Sequence, residues 1–241
     1  MGGVDVSVGS EAVLLVCGDQ ERLPLHGRRG APAVPGVPAV ALPARPERAD
    51  VDPVLAREPR RVVVHGTDAD LAAVVLRLLR TERLGIEVAH LPAGRSAVAA
   101  LFGLPSGGAA VDLAREGTAV PTPLVRDDTG GVLVGRAEVR DLTGECYCDD
   151  ALVLRGGARR LVVGVRPDGL AVRAGWGGAL PDGTARPVPP LAAGGRGSAR
   201  GRAVQLGGLP FTPVADGVEH PRPLERRTWY RHTADWLLVR P

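Results

Sequence analysis

The chain contains no lysine and no asparagine in its 241 residues, so all 30 basic side chains are arginine. That excludes a P-loop lysine, a Schiff-base amine and any asparagine ligand. Cysteine is scarce and odd in number, at three, which gives no disulfide framework. Long apolar runs are missing: stretches such as Ala12–Val16 and Leu71–Val75 fall far short of the roughly 20 residues that cross a bilayer. The opening MGGVDVSVGSE is acidic and lacks the basic start and apolar core of a signal peptide. The expectation is a reduced, cytoplasmic protein. Charge of one sign is also missing, because 27 acids offset the arginines to a net +3. A pI near 9.1 without a concentrated basic stripe is a weak sign of nucleic-acid binding, and none is expected.

What is present is a globular composition, 44% hydrophobic and 24% charged, enough for one large domain or two small ones. Excess Ala, Gly, Pro, Val and Arg is consistent with GC-rich coding. Residues 1–60 read as half a sheet or mostly loop. Ala12–Cys17 has the makings of a buried strand, and Val34–Leu42 of another with prolines at its margins.

Residues 61–105 carry the clearest pattern. Arg61–His65 is a short β-branched strand, and Gly66 turns the chain. Thr67 and Asp70 then form a capping pair, ahead of Leu71, Val74, Val75, Leu78 and Leu79 on one helical face. Ile86–His90 reads as the next strand and Ser96–Phe102 as a short helix, an order that favours a parallel sheet.

After about residue 125 the texture becomes that of strands. Gly131–Val139 alternates, and Leu161–Val165 and Leu170–Arg173 flank the turn Arg166-Pro167-Asp168-Gly169. Asp182-Gly183 suggests a second turn, and Pro187–Gly201 has the composition of a loop. Arg202–Leu206, Phe211–Ala215 and Trp236–Arg240 complete the strands. The predicted fold class is an α/β N-terminal half with an open, mostly parallel sheet, followed by an all-β, sandwich-like C-terminal half. The predicted domains are 1–125 and 126–241, with the last strands able to return to the first domain.

Gly66-Thr67-Asp68-Ala69-Asp70-Leu71 resembles the GGDGT-L motif of the diacylglycerol-kinase-like lipid kinases in its first Gly, its Asp and its Leu. Pro92, Gly94 and Gly103-Leu104-Pro105 resemble that family's next loop, with Ala97-Val98 where the family has Asn-Asp. Val111-Asp112-Leu113 resembles its following strand, and Asp216-Gly217-Val218-Glu219 its late D-G-E, the last acid displaced by one. The family's opening N-P-x-(S/A)-G loop is absent, and the likeness covers about residues 60–120 and 200–241.

The resemblance implies ATP-dependent phosphorylation of a diacylglycerol-like lipid hydroxyl, with ATP and Mg²⁺ as cofactors. It implies nucleotide contacts from Gly66, Thr67, Asp68, Gly94, Arg95 and Ser96, a metal-side carboxylate at Asp68, and a base at Asp216 or Glu219. The partners it implies are a lipid or other small molecule, with peripheral membrane contact; oligomeric state is left unset. The alternative is a non-catalytic relative that binds a ligand or a partner, since Ala69 adds a Cβ where the family has glycine and Asp70 repels phosphate while favouring a helix start.

Other groups have two readings each. Cys146 and Cys148 suit one strand face beside Asp149-Asp150, either as metal ligands lacking partners or as buried neutral thiols. Asp127–Gly131 is a cation loop or a plain β-turn. Arg226–His232 is the densest basic–aromatic segment in a chain that is only 3% aromatic. It suits a phosphate or lipid headgroup, or anchors a strand through Trp229; nucleic-acid binding by Arg226–Arg231 is the weakest reading. His65 and His90 close adjacent strands without a Ser or Cys partner, so no hydrolase triad is supported.

Overall fold

The computed structural model describes residues 12–18, 33–175 and 197–241. They divide into two compact units: residues up to Arg95 with Phe102–Pro121 and Trp236–Pro241, and Ser96–Leu101 with Thr122–Asp235. Among the described residues no helix is long and apolar enough to cross a membrane.

The first unit begins with β1 (Ala12–Cys17), β2 (Ala39–Leu42), α1 (Arg48–Leu55), β3 (Arg61–Gly66), α2 (Asp68–Arg80) and β4 (Glu87–Pro92). Then come α3 (Ala97–Phe102), which runs from the second unit into the first, and α4 (Gly108–Glu116). The strands lie in the order β2-β1-β3-β4, all parallel. Leu237 and Leu238 add parallel pairs to Glu87 and Val88 at the far side of β4. All six residues of β3 are buried, as a central parallel strand covered on both faces requires.

Helix α2 forms as its periodicity predicts. Leu71, Val74, Val75 and Leu78 are fully buried, and Thr67 caps the helix by accepting the Asp70 N–H at 3.3 Å. On the opposite face, Val63, Ala89 and Leu91 pack with Ala110 and Ala114 of α4, and with Leu14 and Val239.

Three expectations are corrected in this unit. Val111-Asp112-Leu113 is not a strand but part of α4, because Ala110 and Ala114 at helical spacing bury against the sheet. Val34–Leu42 is a strand only over Ala39–Leu42, since Pro35 and Gly36 sit in a turn in which the Val37 N–H reaches the Val34 carbonyl. Helix α1 was hidden by prolines. It starts at Glu47, whose N–H is held by Asp50 at 2.8 Å, and Asp52 takes a two-point contact from Arg77 of α2, both distances 2.8 Å.

The second unit contains most of β5 (Ala119–Asp127), β6 (Val132–Leu133), β7 (Arg136–Cys148), β8 (Ala151–Arg166) and β9 (Gly169–Gly175). It continues with β10 (Ser198–Gly201), β11 (Ala203–Phe211), β12 (Pro213–Ala215), β13 (Val218–Glu219) and the first part of β14 (Leu224–Val239). These strands pair antiparallel as β10-β9-β8-β7-β11-β14, with β12 beside the start of β7. The predicted hairpin is present: Arg166 pairs with Gly169 across Pro167-Asp168. Ser198–Gly201, expected within a loop, is a strand on β9; Asp182-Gly183 lies outside the described residues. Trp229 is buried at 1% exposure, as a strand anchor should be.

A single arginine ties together the start of the parallel sheet. Arg61 opens β3 with a side chain only 7% exposed. Its guanidinium holds Glu87 of β4 through Nε at 2.8 Å and Nη2 at 2.7 Å. It also donates to the carbonyls of Ala114, Arg115 and Gly117 at 2.7–2.9 Å, where α4 ends. A cation at a helix C-terminus meets the negative end of the macrodipole, and here every donor is used. Arg61→Met would leave Glu87 and three carbonyls without their partner. The expected loss is about 3 kcal/mol of unfolding free energy, read from urea denaturation, whereas Arg60→Met on the exposed neighbour changes it little.

Candidate functional site

Parallel sheets offer ligands the edge where strands end and helices begin. In the first unit β3 ends at Gly66 and β4 at Pro92, and these two residues are register partners. The turns that follow are therefore adjacent, and the Ala93 N–H donates to the Gly66 carbonyl at 2.9 Å. Thr67, Ala93, Gly94 and Arg95 are exposed here, while Asp68 is buried at 8%. The structure brings Gly66, Thr67 and Asp68 together with Gly94 and Arg95. Ser96 caps α3, taking the Ala99 N–H on its hydroxyl at 2.9 Å.

Much of the first turn is committed to its own architecture. Asp70 Oδ2 accepts the Thr67 N–H and hydroxyl, both at 2.7 Å, and Oδ1 accepts the Arg45 N–H at 2.6 Å. A Cβ on Gly66 would stand 2.6 Å from Asp70 Oδ2, so this glycine is demanded by the cap. Gly94 differs: a Cβ there would meet nothing within 4 Å, and no left-handed backbone requires glycine.

The two histidines alternate across the sheet. His65 shares its face with Leu91, whose carbonyl accepts from Nδ1 at 2.9 Å. His90 shares the other face with Val64, and its Nδ1 lies 3.3 Å from that carbonyl. With Nδ1 turned to the backbone, His90 Nε2 faces Asp68 Oδ1 at 3.4 Å. It is wholly buried and has no hydrogen bond there, the separation lying within ion-pair reach but without donor geometry. A carboxylate and an orphaned ring nitrogen thus meet at the N-terminus of α2. Beside them Cys17 closes β1, its thiol pushed up to about 12 by burial and then by the Asp70 charge, so it is no nucleophile.

The two candidate bases belong to the second unit. Asp216 and Gly217 form the turn between β12 and β13, with φ of 48° and 86°, the positive pair that a tight hairpin of Asp-Gly type adopts. The Asp216 carboxylate is buried and accepts the Val134, Gly135 and Arg136 N–H groups at 2.8–3.1 Å. Asp216 is thus a brace between this hairpin and the start of β7. Glu219, in β13, is exposed.

The remaining groups resolve toward structure. Cys146 and Cys148 are buried; burial pushes the first thiol up to about 12 and raises the second. Among the described residues no group of three or more His, Cys, Asp and Glu side chains could hold a metal. Asp127–Gly131 is a turn: Asp127 Oδ1 takes the N–H groups of Thr129 at 2.9 Å and Gly131 at 2.8 Å. The Arg226–His232 segment lies in β14. Its central Arg227 is buried against Asp127 at 3.3 Å, Asp128 at 3.2 Å and the Thr129 hydroxyl at 2.8 Å, and so is not solvated. The Asp70 tie to Arg45 escapes sequence reasoning, because its partner is a backbone N–H 25 positions away.

No family model matches the chain, and no curated protein matches it in sequence. Solved structures do match in fold. A diacylglycerol kinase from Bacillus anthracis str. Sterne superposes with a TM-score of 0.65 at 13% identity, covering 96% of this chain and 97% of the other. An NAD kinase from Archaeoglobus fulgidus, solved in complex with ATP, gives 0.53 at 13% identity over 95% and 93% of the two chains. The chain therefore has the diacylglycerol kinase and NAD kinase-like fold.

Burial of His65 has a consequence for stability. Desolvation holds its pKa below the usual histidine value, and the Leu91 carbonyl only partly offsets that. The folded chain keeps His65 neutral while the unfolded chain protonates near pH 6.5. Stability is then full above about pH 6.5 and falls as acid drives protons onto the unfolded state. Thermal melting across pH 5–8 should show that decline, and His65→Gln should make it shallower.

Proposed function

We propose that this chain is a lipid-kinase-like protein that binds ATP at the carboxyl edge of its parallel sheet and transfers phosphate to a diacylglycerol-like hydroxyl. The observation that carries the reading is the pairing of Gly66 with Pro92. It sets the turns at Thr67-Asp68 and Ala93-Gly94-Arg95 side by side. Gly94 supports it further, because nothing in the fold asks for glycine at that exposed position. A phosphate approaching the backbone would ask for it.

The residues present fit a nucleotide better than a dedicated metal cage. Gly94 offers an exposed position without a side chain, and Arg95 a guanidinium suited to phosphate. Asp68 is the carboxylate of this turn that faces an orphaned nitrogen, and Mg²⁺ would be held by it together with phosphate oxygens. When bound, Mg²⁺ would neutralise charge on the transferred group. With both Asp216 oxygens engaged by backbone, the base role falls to Glu219.

A second reading, a non-catalytic relative that binds a ligand without turnover, is favoured by one specific observation: the Asp216 carboxylate already serves as a brace. Labelled ATP, Mg²⁺ and diacylglycerol micelles separate the two. Phosphatidate formation, abolished in Glu219→Gln, is expected of the kinase. Neither product nor a melting shift with millimolar Mg-ATP is expected of the non-catalytic relative, and a rise of several degrees counts against it.

Gly94→Ala tests the nucleotide contact alone. Because its Cβ enters open space, the melting temperature of the free protein should stay within about a degree. The Mg-ATP-induced shift should shrink or vanish. A full shift in this variant would place the ligand elsewhere.

A further inference from the structure

The strand register of the second unit sorts its arginines onto one surface. Successive strand residues point to opposite faces, and cross-strand partners share a face. By this rule Arg136 and Arg140 of β7, Arg160 and Arg166 of β8, Arg173 of β9 and Arg200 of β10 all lie on the same side. The alternate residues, Val139, Leu161, Val163 and Val172 among them, are buried, which fixes the arginine side as the outer one. Glu138 of β7 and Glu219 of β13 are the acids in these rows. At the margins Asp141, Arg159 and Asp168 nearly balance.

Six arginines against two glutamates, less one charge for the margins, leave this face as positive as the entire chain, whose net charge is +3. Glu138 is taken by Arg140 at 3.0 Å and by Arg160. Arg136, Arg166, Arg173 and Arg200 make no ion pair among the described residues. Between them stand Val162, Gly164 and Ala171, neutral positions of little bulk, and Arg136, Arg140, Arg173 and Arg200 are exposed. Solubility and protection of the edge strand would be served equally by mixed charge, so they do not account for one sign.

We propose that this outer face of β7–β10 docks on the surface of an anionic lipid bilayer. Strands about 4.8 Å apart present the arginines as an extended array rather than as a pocket. Guanidinium forks suit lipid phosphates, and each basic residue near an anionic leaflet adds to the attraction. Among the described residues the face carries no aromatic side chain on which nucleic-acid bases could stack, and no helix to enter a groove. The inference deepens the lipid-phosphorylating reading by naming how the chain meets its substrate, yet docking itself needs no turnover.

Co-sedimentation of the full chain with vesicles tests it. At about 0.1 M salt the protein should pellet with vesicles containing phosphatidylglycerol and not with pure phosphatidylcholine, and rising salt should release it. Arg173→Gln combined with Arg200→Gln should lower the affinity roughly tenfold or more. Arg48→Gln combined with Arg57→Gln, an equal loss of charge in the first unit, should leave it within about twofold. Equal binding to both vesicles, binding to neither, equal losses in the two double variants, or capture of duplex DNA without vesicles would each overturn the proposal. Should the first double variant melt lower than wild type, salt release and lipid selectivity of the wild type still decide. Docking without phosphatidate formation leaves this face standing and removes the kinase reading. Phosphatidate formation in micelles without docking does the reverse.

Discussion

The Asp70 carboxylate is the constraint on which the carboxyl edge of the parallel sheet depends. It closes the cap of α2 through the Thr67 N–H and hydroxyl, reaches across to the Arg45 N–H, and rests against the Cα of Gly66. Three donors and one glycine are thereby fixed by one side chain. Hydrogen bonds to an ionised acceptor are stronger than neutral ones, so this turn is stiff. Its charge also adds to the burial that keeps Cys17 protonated at the end of β1. The same acid that orders the turn is the one that would repel a phosphate, so any anion must approach from the Gly94 side.

Arg61 does for the opposite edge what Asp70 does for this one. It binds Glu87 and the last carbonyls of α4 and so pins β3, β4 and that helix at their shared start. Between the two anchors run the apolar residues of β3 and β4, in unbroken register from Arg61–Glu87 to Gly66–Pro92. A slip of one residue would turn every side chain to the other face, exchanging His65 with Val64 and His90 with Leu91. One end is tied by the Arg61–Glu87 pair and the other by the Ala93 N–H on the Gly66 carbonyl, which opposes such a slip.

Helix α2 with its turn and the β8–β9 hairpin were legible because their signals are local. The Thr67–Asp70 cap and the Leu71–Leu79 periodicity are written within thirteen residues, and the Pro167-Asp168 hairpin within four. Helix α4 was not legible: Gly, Ala and a lone Val-Asp-Leu resemble a strand until the sheet supplies a face for Ala110 and Ala114 to cover. Helix α1 was masked by Pro53, which sits inside the helix although it cannot donate to a carbonyl. At the site, Gly66 and Asp68 were readable as a turn. That Asp216 is spent on three N–H groups some 80 positions earlier was not, since no local pattern encodes a contact of that separation.

The distribution of arginine shows the same limit from another side. Along the chain the basic residues are scattered among acids and form no stripe, which argues against a polyanion partner. Folding changes the relevant neighbours. Residues two apart on one strand and partners on the next become a surface, so Arg136, Arg173 and Arg200 share a face although dozens of residues separate them in sequence. Charge read by sequence proximity measures the field of an unfolded chain, and the field that a partner meets is set by register. In this protein the commitment of Asp216 and the gathering of the arginines both follow from how its strands lie together. Motif content alone therefore describes its chemistry less well than the order in which its strands lie side by side.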